Sequence, residues 1–351
     1  MTRSTLHAAG IAGGLALAAI LSSNALIGQA AGQSAPAKAY TTPRTPWGDP
    51  DLQGKWPSTD LVGVPMQRDA KIGTRNVLTE EEFKARQVQF ERQAAQDEAE
   101  FDLEAAAATP GGDVGGPVSP PPHWLERGKP QYQASLIVDP PDGRMPPFTP
   151  EAQQRQQAQR DTQQARRKDL NGREADTYLD RSLYDRCITR GIAGSILPVI
   201  YNNGNEIVQG PGFVAIRNEM IHETRVVPLD GRAHPNASVK MWMGDSRGHW
   251  EGDTLVVETT NFDPRTSGIA VNGGGARITD SLTITERFTR VSADLLSYEM
   301  KVSDPKTWTR PWTMQYPLKL DNDYGFYEYA CHEGNYAMFN ILSGSRAAEK
   351  K

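Results

Sequence analysis

From Asn205 onward the chain alternates apolar and polar residues in short runs, the period of a strand with one face buried. Runs of this kind are Glu206–Gln209, Phe213–Asn218, Glu223–Pro228, Ser238–Met243, Thr254–Thr259, Ser281–Thr289, Leu295–Val302, Thr313–Leu320 and Phe326–Ala330. Turn residues separate them at Asp230-Gly231, Glu251-Gly252-Asp253, Gly273-Gly274-Gly275, Ser292-Ala293-Asp294 and Asp321-Asn322-Asp323. The gaps leave no room for crossover helices, so the runs predict an antiparallel meander. The expected fold class is therefore mainly β. A closed or nearly closed, lipocalin-like barrel would remove the open edges of so many strands.

The part before Asn205 follows a different rule. Thr79 followed by Glu82 is a capping box that opens a charged helix, expected from about Glu80 to Ala107. Its apolar residues, Phe83, Val88, Phe90, Phe101 and Leu103, are sparse, and a Pro/Gly stretch to Pro122 follows. A second helix starts at Thr149-Pro150, threonine as cap and proline in the first turn. Between Ala152 and Lys168 it has no apolar side chain larger than alanine, so it should stand largely in solvent. The segment from Thr42 to Trp56 is rich in proline, which excludes a central strand. With Trp47, Leu52 and Trp56 as anchors, it should lie across the surface of the main domain. The expected divisions are a leader at 1–30, an extended arm at 31–78, polar helices and linker at 79–180, and a β-barrel domain with a C-terminal helix at 181–351.

Composition then sets the compartment. Arg3 precedes an uncharged apolar stretch of 14 residues, Ala8 to Leu21, and small residues surround Ala30. This is the pattern of a secretory signal peptide, too short for the ~20 residues of a spanning helix. Cleavage is expected near Ala30 or Ala31, to a periplasmic or secreted chain; a retained membrane anchor is the alternative. No other run could span a membrane. Removing Arg3 takes the formal charge from −5 to −6, because 38 basic residues become 37 against 43 acidic. No clustered basic face calls for nucleic acid. Cys187 and Cys331, 144 residues apart, are the two cysteines, and export predicts that they pair. A nucleophilic or metal-binding thiol is the competing reading.

Four blocks carry a likeness. Met243–Thr259 (MGDSRGHWEGDTLVVET), Val227–Arg232, Trp308–Trp312 and Tyr327–Tyr336 (YEYACHEGNY) resemble blocks in a large group of exported bacterial β-rich proteins. The likeness spans the last half of the chain and the Asp49–Trp56 arm. It implies export and one β-rich domain, and it carries over no catalytic residue.

The candidate chemistry comes from residues placed among apolar neighbours. Strand parity puts Glu286 on one face with Leu282, Ile284 and Phe288. Desolvation would raise such a carboxyl's pKa and suit it to acid or base work. The competing reading is a structural partner of Arg217 or Arg225. An unbroken strand would place His222 with Val214, Ile216 and Met220, a core histidine or a proton carrier, while Glu223 and Arg225 would pair together or face solvent. His332 and Glu333, beside Cys331, complete the catalytic candidates; Trp242, Trp250, Glu328 and Tyr336 are candidate ligand contacts. The competing reading of the Glu328–Tyr336 segment is a strand end leading into a helix through Met338, Phe339 and Leu342. Asp245 and Asp253 read as turn residues. No Rossmann glycine pattern, P-loop or haem-attachment motif occurs, so no organic cofactor is expected. The spacings of His222, His234, His249 and His332 match no zinc signature, so no metal ligand is assigned, and a zinc or similar site is the lesser alternative.

Three functions follow. The first is an exported enzyme, a lyase, isomerase or hydrolase acting by acid–base chemistry on a small apolar or glycosidic molecule. The second is a lipocalin-like ligand-binding protein, and the third an interaction protein of the envelope. A cavity where Glu286 and His222 converge would favour the enzyme; a filled interior would favour the interaction protein.

Overall fold

The computed structural model describes residues 40–98, 125–170, 175–266, 268–270 and 275–349. The expected leader, the first helix beyond Glu98 and the linker to Pro122 lie outside them. Among the described residues the strands form two antiparallel sheets. One has four strands, β1 (Gly54–Lys55), β3 (Asn205–Gly210), β4 (Phe213–Asn218) and β5 (Thr224–Pro228), in the order β1-β3-β4-β5. The other has six: β2 (Ile137–Asp139), β6 (Asp245–Glu251), β7 (Thr254–Thr260), β8 (Thr283–Arg290), β9 (Leu295–Ser303) and β10 (Trp312–Lys319). Their order is β2-β10-β9-β8-β7-β6.

The expected closed or nearly closed barrel is not found among the described residues, where no ladder joins β5 to β6 and β1 is only two residues long. Pro50 and Pro57 lie on either side of β1, and proline, lacking a backbone N–H, cannot donate to extend a ladder. The two sheets instead enclose one core. Ile207, Val214, Ile216 and Val227 of the first meet Leu255, Val257, Ile284, Phe288, Leu296, Met300 and Leu318 of the second. Across β8, β9 and β10, Phe288, Tyr298 and Tyr316 occupy opposed positions, with ring centroids 5.0 and 5.1 Å apart. These rings fill the interior that a ligand would occupy in a lipocalin.

Two expected strands are displaced. Ser238–Met243 is a turn-rich loop, held by the Asn261 side-chain amide, which donates to the carbonyls of Pro235, Asn236 and Val239. The strand lies just beyond it, at β6. There the inward positions are Ser246 and Gly248, so the sequence shows no apolar alternation. A Cβ on Gly248 would come within 2.8 Å of Val227 and 2.7 Å of Leu229, whose side chains take that space. Asp245 therefore begins a strand rather than a turn. Phe326–Ala330 is irregular and leads to the disulfide; the Tyr327 N–H donates to Glu219 Oε1 at 3.1 Å.

The N-terminal arm is not a surface strap. Leu52 and Trp56 are fully buried, while Trp47 remains exposed. The Leu52 N–H donates to Gln209 Oε1 (2.7 Å), and Trp56 Nε1 donates to the Leu52 carbonyl (2.9 Å). The arm thus supplies core and an edge strand together. Outside the sheets, helix α1 (Glu80–Glu98) starts at the expected capping box, where Thr79 Oγ1 accepts the Glu82 N–H and Glu82 Oε2 accepts the Thr79 N–H. Helix α2 (Pro150–Leu170) is capped by Thr149. Helix α3 (Gly191–Ile196) is buried, and helix α4 (Ala337–Ala348) ends the described chain. No helix among the described residues is long and apolar enough to cross a membrane.

Candidate functional site

Glu286 is fully buried between the sheets, where it is held on both carboxylate oxygens. Arg225 of β5 donates from Nη1 to Oε2 (2.6 Å) and from Nη2 to Oε1 (2.9 Å), and the Tyr298 hydroxyl donates to Oε1 (2.9 Å). Burial pushes the Tyr298 and Tyr316 phenols well above their ordinary range. A carboxylate tied to a bidentate guanidinium inside a filled core is equipped to fasten two sheets together. Arg217 takes another partner, Glu206 at 2.7 Å, on the outer face.

His222 does not share the core face. The chain leaves the β4 period in a short 3-10 turn, Met220–His222, with Ile221 at φ 56° and His222 at φ 46°. This break turns the ring of His222 outward, where Nδ1 lies 2.8 Å from the Tyr329 carbonyl. It also carries Arg225 inward and leaves Glu223 facing α3. There Glu223 Oε2 accepts the Ser195 hydroxyl (3.0 Å), and desolvation raises its carboxyl pKa. Arg225 is therefore buried and Glu223 half-buried, each with a different first partner.

The disulfide brings the separated pieces together. Cys187 and Cys331 are bridged, with Cα atoms 5.7 Å apart. Left-handed backbone in residues other than glycine occurs at Cys187 of this bridge and also at Asn202, Ile221, His222 and Asn261. Such conformations persist only where the surroundings enforce them, and they gather at working sites. Here three phenols meet: the Tyr184 hydroxyl lies 2.9 Å from that of Tyr201 and 3.0 Å from that of Tyr329. Burial pushes Tyr184 and Tyr201 up to about 12. The Arg190 guanidinium lies over the Tyr184 ring, 4.8 Å from its centroid. Its Nε and Nη1 are buried without a hydrogen-bond partner.

A cleft of about 300 Å³ crosses the bridge, lined by Tyr178, Asp185, Arg186, Cys187, Ile188, His332, Asn335 and Met338. One wall is the segment before α3 and the other the start of α4, so the disulfide sets their separation. Asn335 stiffens the second wall: Nδ2 donates to the Cys331 carbonyl (2.8 Å), and Oδ1 accepts the Ala337 N–H (3.0 Å). Asp185 is engaged by Arg181 at 3.3 Å and by the Ser182 N–H. Arg186 lies over the Tyr178 ring at 5.0 Å. Among the described residues, neither the Arg186 guanidinium nor the His332 ring makes a side-chain hydrogen bond or ion pair.

The other expected site residues are dispersed. Glu328, Glu333 and Tyr336 are exposed near the bridge without lining the cleft. Trp242 packs beneath Arg265, and Trp250 packs against the core. Sequence reasoning passed over Arg186, Arg190 and the three tyrosines. The available signal was the pair of arginines that brackets Cys187, one residue before it and three after. Among the described residues no group of three or more His, Cys, Asp or Glu side chains could hold a metal ion. A second polar cluster joins His234 Nδ1 to Asp245 Oδ2 at 2.7 Å, with Arg247 on the same carboxylate. No known family's model matches the chain, and no curated protein matches it either.

Proposed function

We propose that this chain is an exported protein that binds a small molecule in the cleft across its disulfide. The observation that carries the reading is a half-buried arginine and an imidazole, neither with a side-chain hydrogen bond or ion pair among the described residues, lining a cavity whose two walls are bridged covalently. A site requires such prearranged walls, and about 300 Å³ is at the small end of ligand pockets. The bridge also supports export, since disulfides persist in oxidising compartments. Binding is favoured over acid–base catalysis because Glu286 is held by Arg225 and does not converge with the outward His222. An enzyme reading would rest on the His332–Glu333 segment.

The filled core and the apolar residues near the cleft, Tyr178, Leu179, Tyr336 and Phe339, all more than half exposed, support an interaction protein as the second reading. A small-molecule binding screen on the mature protein separates the two. The expected result is saturable binding that Met338→Trp, which fills the cleft, abolishes without lowering the melting temperature. Binding indifferent to Met338→Trp would remove the cleft from consideration.

A further inference from the structure

Arg186 has the character of a group waiting for a counter-charge. Its guanidinium is half-buried, oriented on the Tyr178 ring, and without a carboxylate of its own among the described residues. The acidic side chain in the cleft, Asp185, is already balanced by Arg181. A guanidinium presents two parallel N–H donors that match a carboxylate, and holding it over a ring fixes the direction of that fork. His332 faces the same space and supplies a further nitrogen. The remaining lining is the Tyr178 ring, Ile188, Met338, the Cys187 sulfur and Asn335, whose amide is engaged by the Cys331 carbonyl and the Ala337 N–H. Cationic and apolar groups thus share the one cleft.

We infer that the ligand is a small organic anion, with a carboxylate on Arg186 and His332 and a flat apolar body against Tyr178, Ile188 and Met338. This rests on the cleft being the working site, as proposed above. About 300 Å³ accommodates one ring with its carboxylate and little more. The apolar lining distinguishes such a ligand from inorganic phosphate, which would use the guanidinium and leave Ile188 and Met338 uncovered.

Calorimetric titration of the mature, disulfide-intact protein at low ionic strength tests this with benzoate, benzamide and inorganic phosphate. Benzoate should bind, and benzamide, equal in shape but uncharged, should bind about tenfold or more weakly. Arg186→Gln should weaken benzoate by a similar factor and leave benzamide unchanged. Arg186→Lys keeps the charge without the fork and should fall between, which also guards against a folding defect in the glutamine variant. Equal binding of benzoate and benzamide, both blocked by Met338→Trp, would overturn the anion and leave the cleft standing. Phosphate binding as tightly as benzoate would overturn the apolar body. Benzoate binding unaffected by Met338→Trp, or no saturable benzoate binding at millimolar concentration, would overturn the inference; the former would remove the cleft as well.

Discussion

At Glu286 three donors converge on one buried carboxylate, and among the described residues it is the acid that hydrogen-bonds the Arg225 guanidinium. Replacing the carboxylate by glutamine keeps its shape but turns an N–H₂ group toward the guanidinium donors. Glu286→Gln should therefore destabilise the fold by about 3–5 kcal/mol, the cost of leaving a buried charge uncompensated. Urea unfolding measures it, and a change below ~1 kcal/mol would show that Arg225 relaxes to water. Replacing both partners, Arg225→Met with Glu286→Leu, should recover much of the loss, because two apolar side chains need no pairing. Glu223 responds to pH in the opposite sense to an ordinary ion-paired acid. Its folded pKa is raised by desolvation, so the native state holds its proton more tightly than the unfolded chain does. Its contribution is complete below the unfolded carboxylate pKa and is lost as pH rises through the folded value. Glu223→Gln should flatten that decline while keeping an acceptor for Ser195. Melting curves from pH 4 to 8 check the sign, and a variant that steepens the decline would refute it.

At the scale of elements, the arm shows what proline-rich sequence conceals. Trp56 reads as a surface anchor because Pro50 and Pro57 exclude a regular strand, yet two residues of pairing suffice to seat it in the core. Trp56→Ala should cost about 3–5 kcal/mol, comparable to a central aromatic, and a loss under ~1 kcal/mol would return the arm to the surface. The strands β4, β7, β8, β9 and β10 were legible because apolar residues recur at alternate positions on their buried faces, interrupted by Asn218 in β4, Thr259 in β7 and Glu286 in β8. Strand β6 was hidden because Ser246 and Gly248 face inward, and the apolar volume there comes from Val227 and Leu229. The same limit applied to the site. Parity identified Glu286 as buried, but its partner depended on a break at Ile221 that no alternation pattern encodes. His332 was visible through its neighbour Cys331; Arg186 and the tyrosine trio became visible only when the bridge placed residues 178–201 against residues 329–338.

For the whole molecule, the bridge is the longest-range covalent constraint and the one that assembles the candidate site. It closes a loop spanning 144 residues of sequence separation, for which chain entropy gives an upper value of about 5 kcal/mol. Replacing Cys187 and Cys331 by serine should lower the melting temperature and reduce ligand binding at the cleft more than it disturbs the sheets. Differential scanning calorimetry and far-ultraviolet dichroism measure the two effects, and unchanged binding in the serine variant would contradict the role given to the bridge.

The claim that the disulfide cleft is the working site is tested most directly by nuclear magnetic resonance. Nitrogen-15-labelled mature protein would be titrated with benzoate and the backbone amide shifts mapped. The account predicts saturable changes confined to Tyr178–Ile188 and His332–Met338, with the amides around Glu286 unmoved. Saturable changes centred on β8 and β9, with the cleft silent, would contradict it.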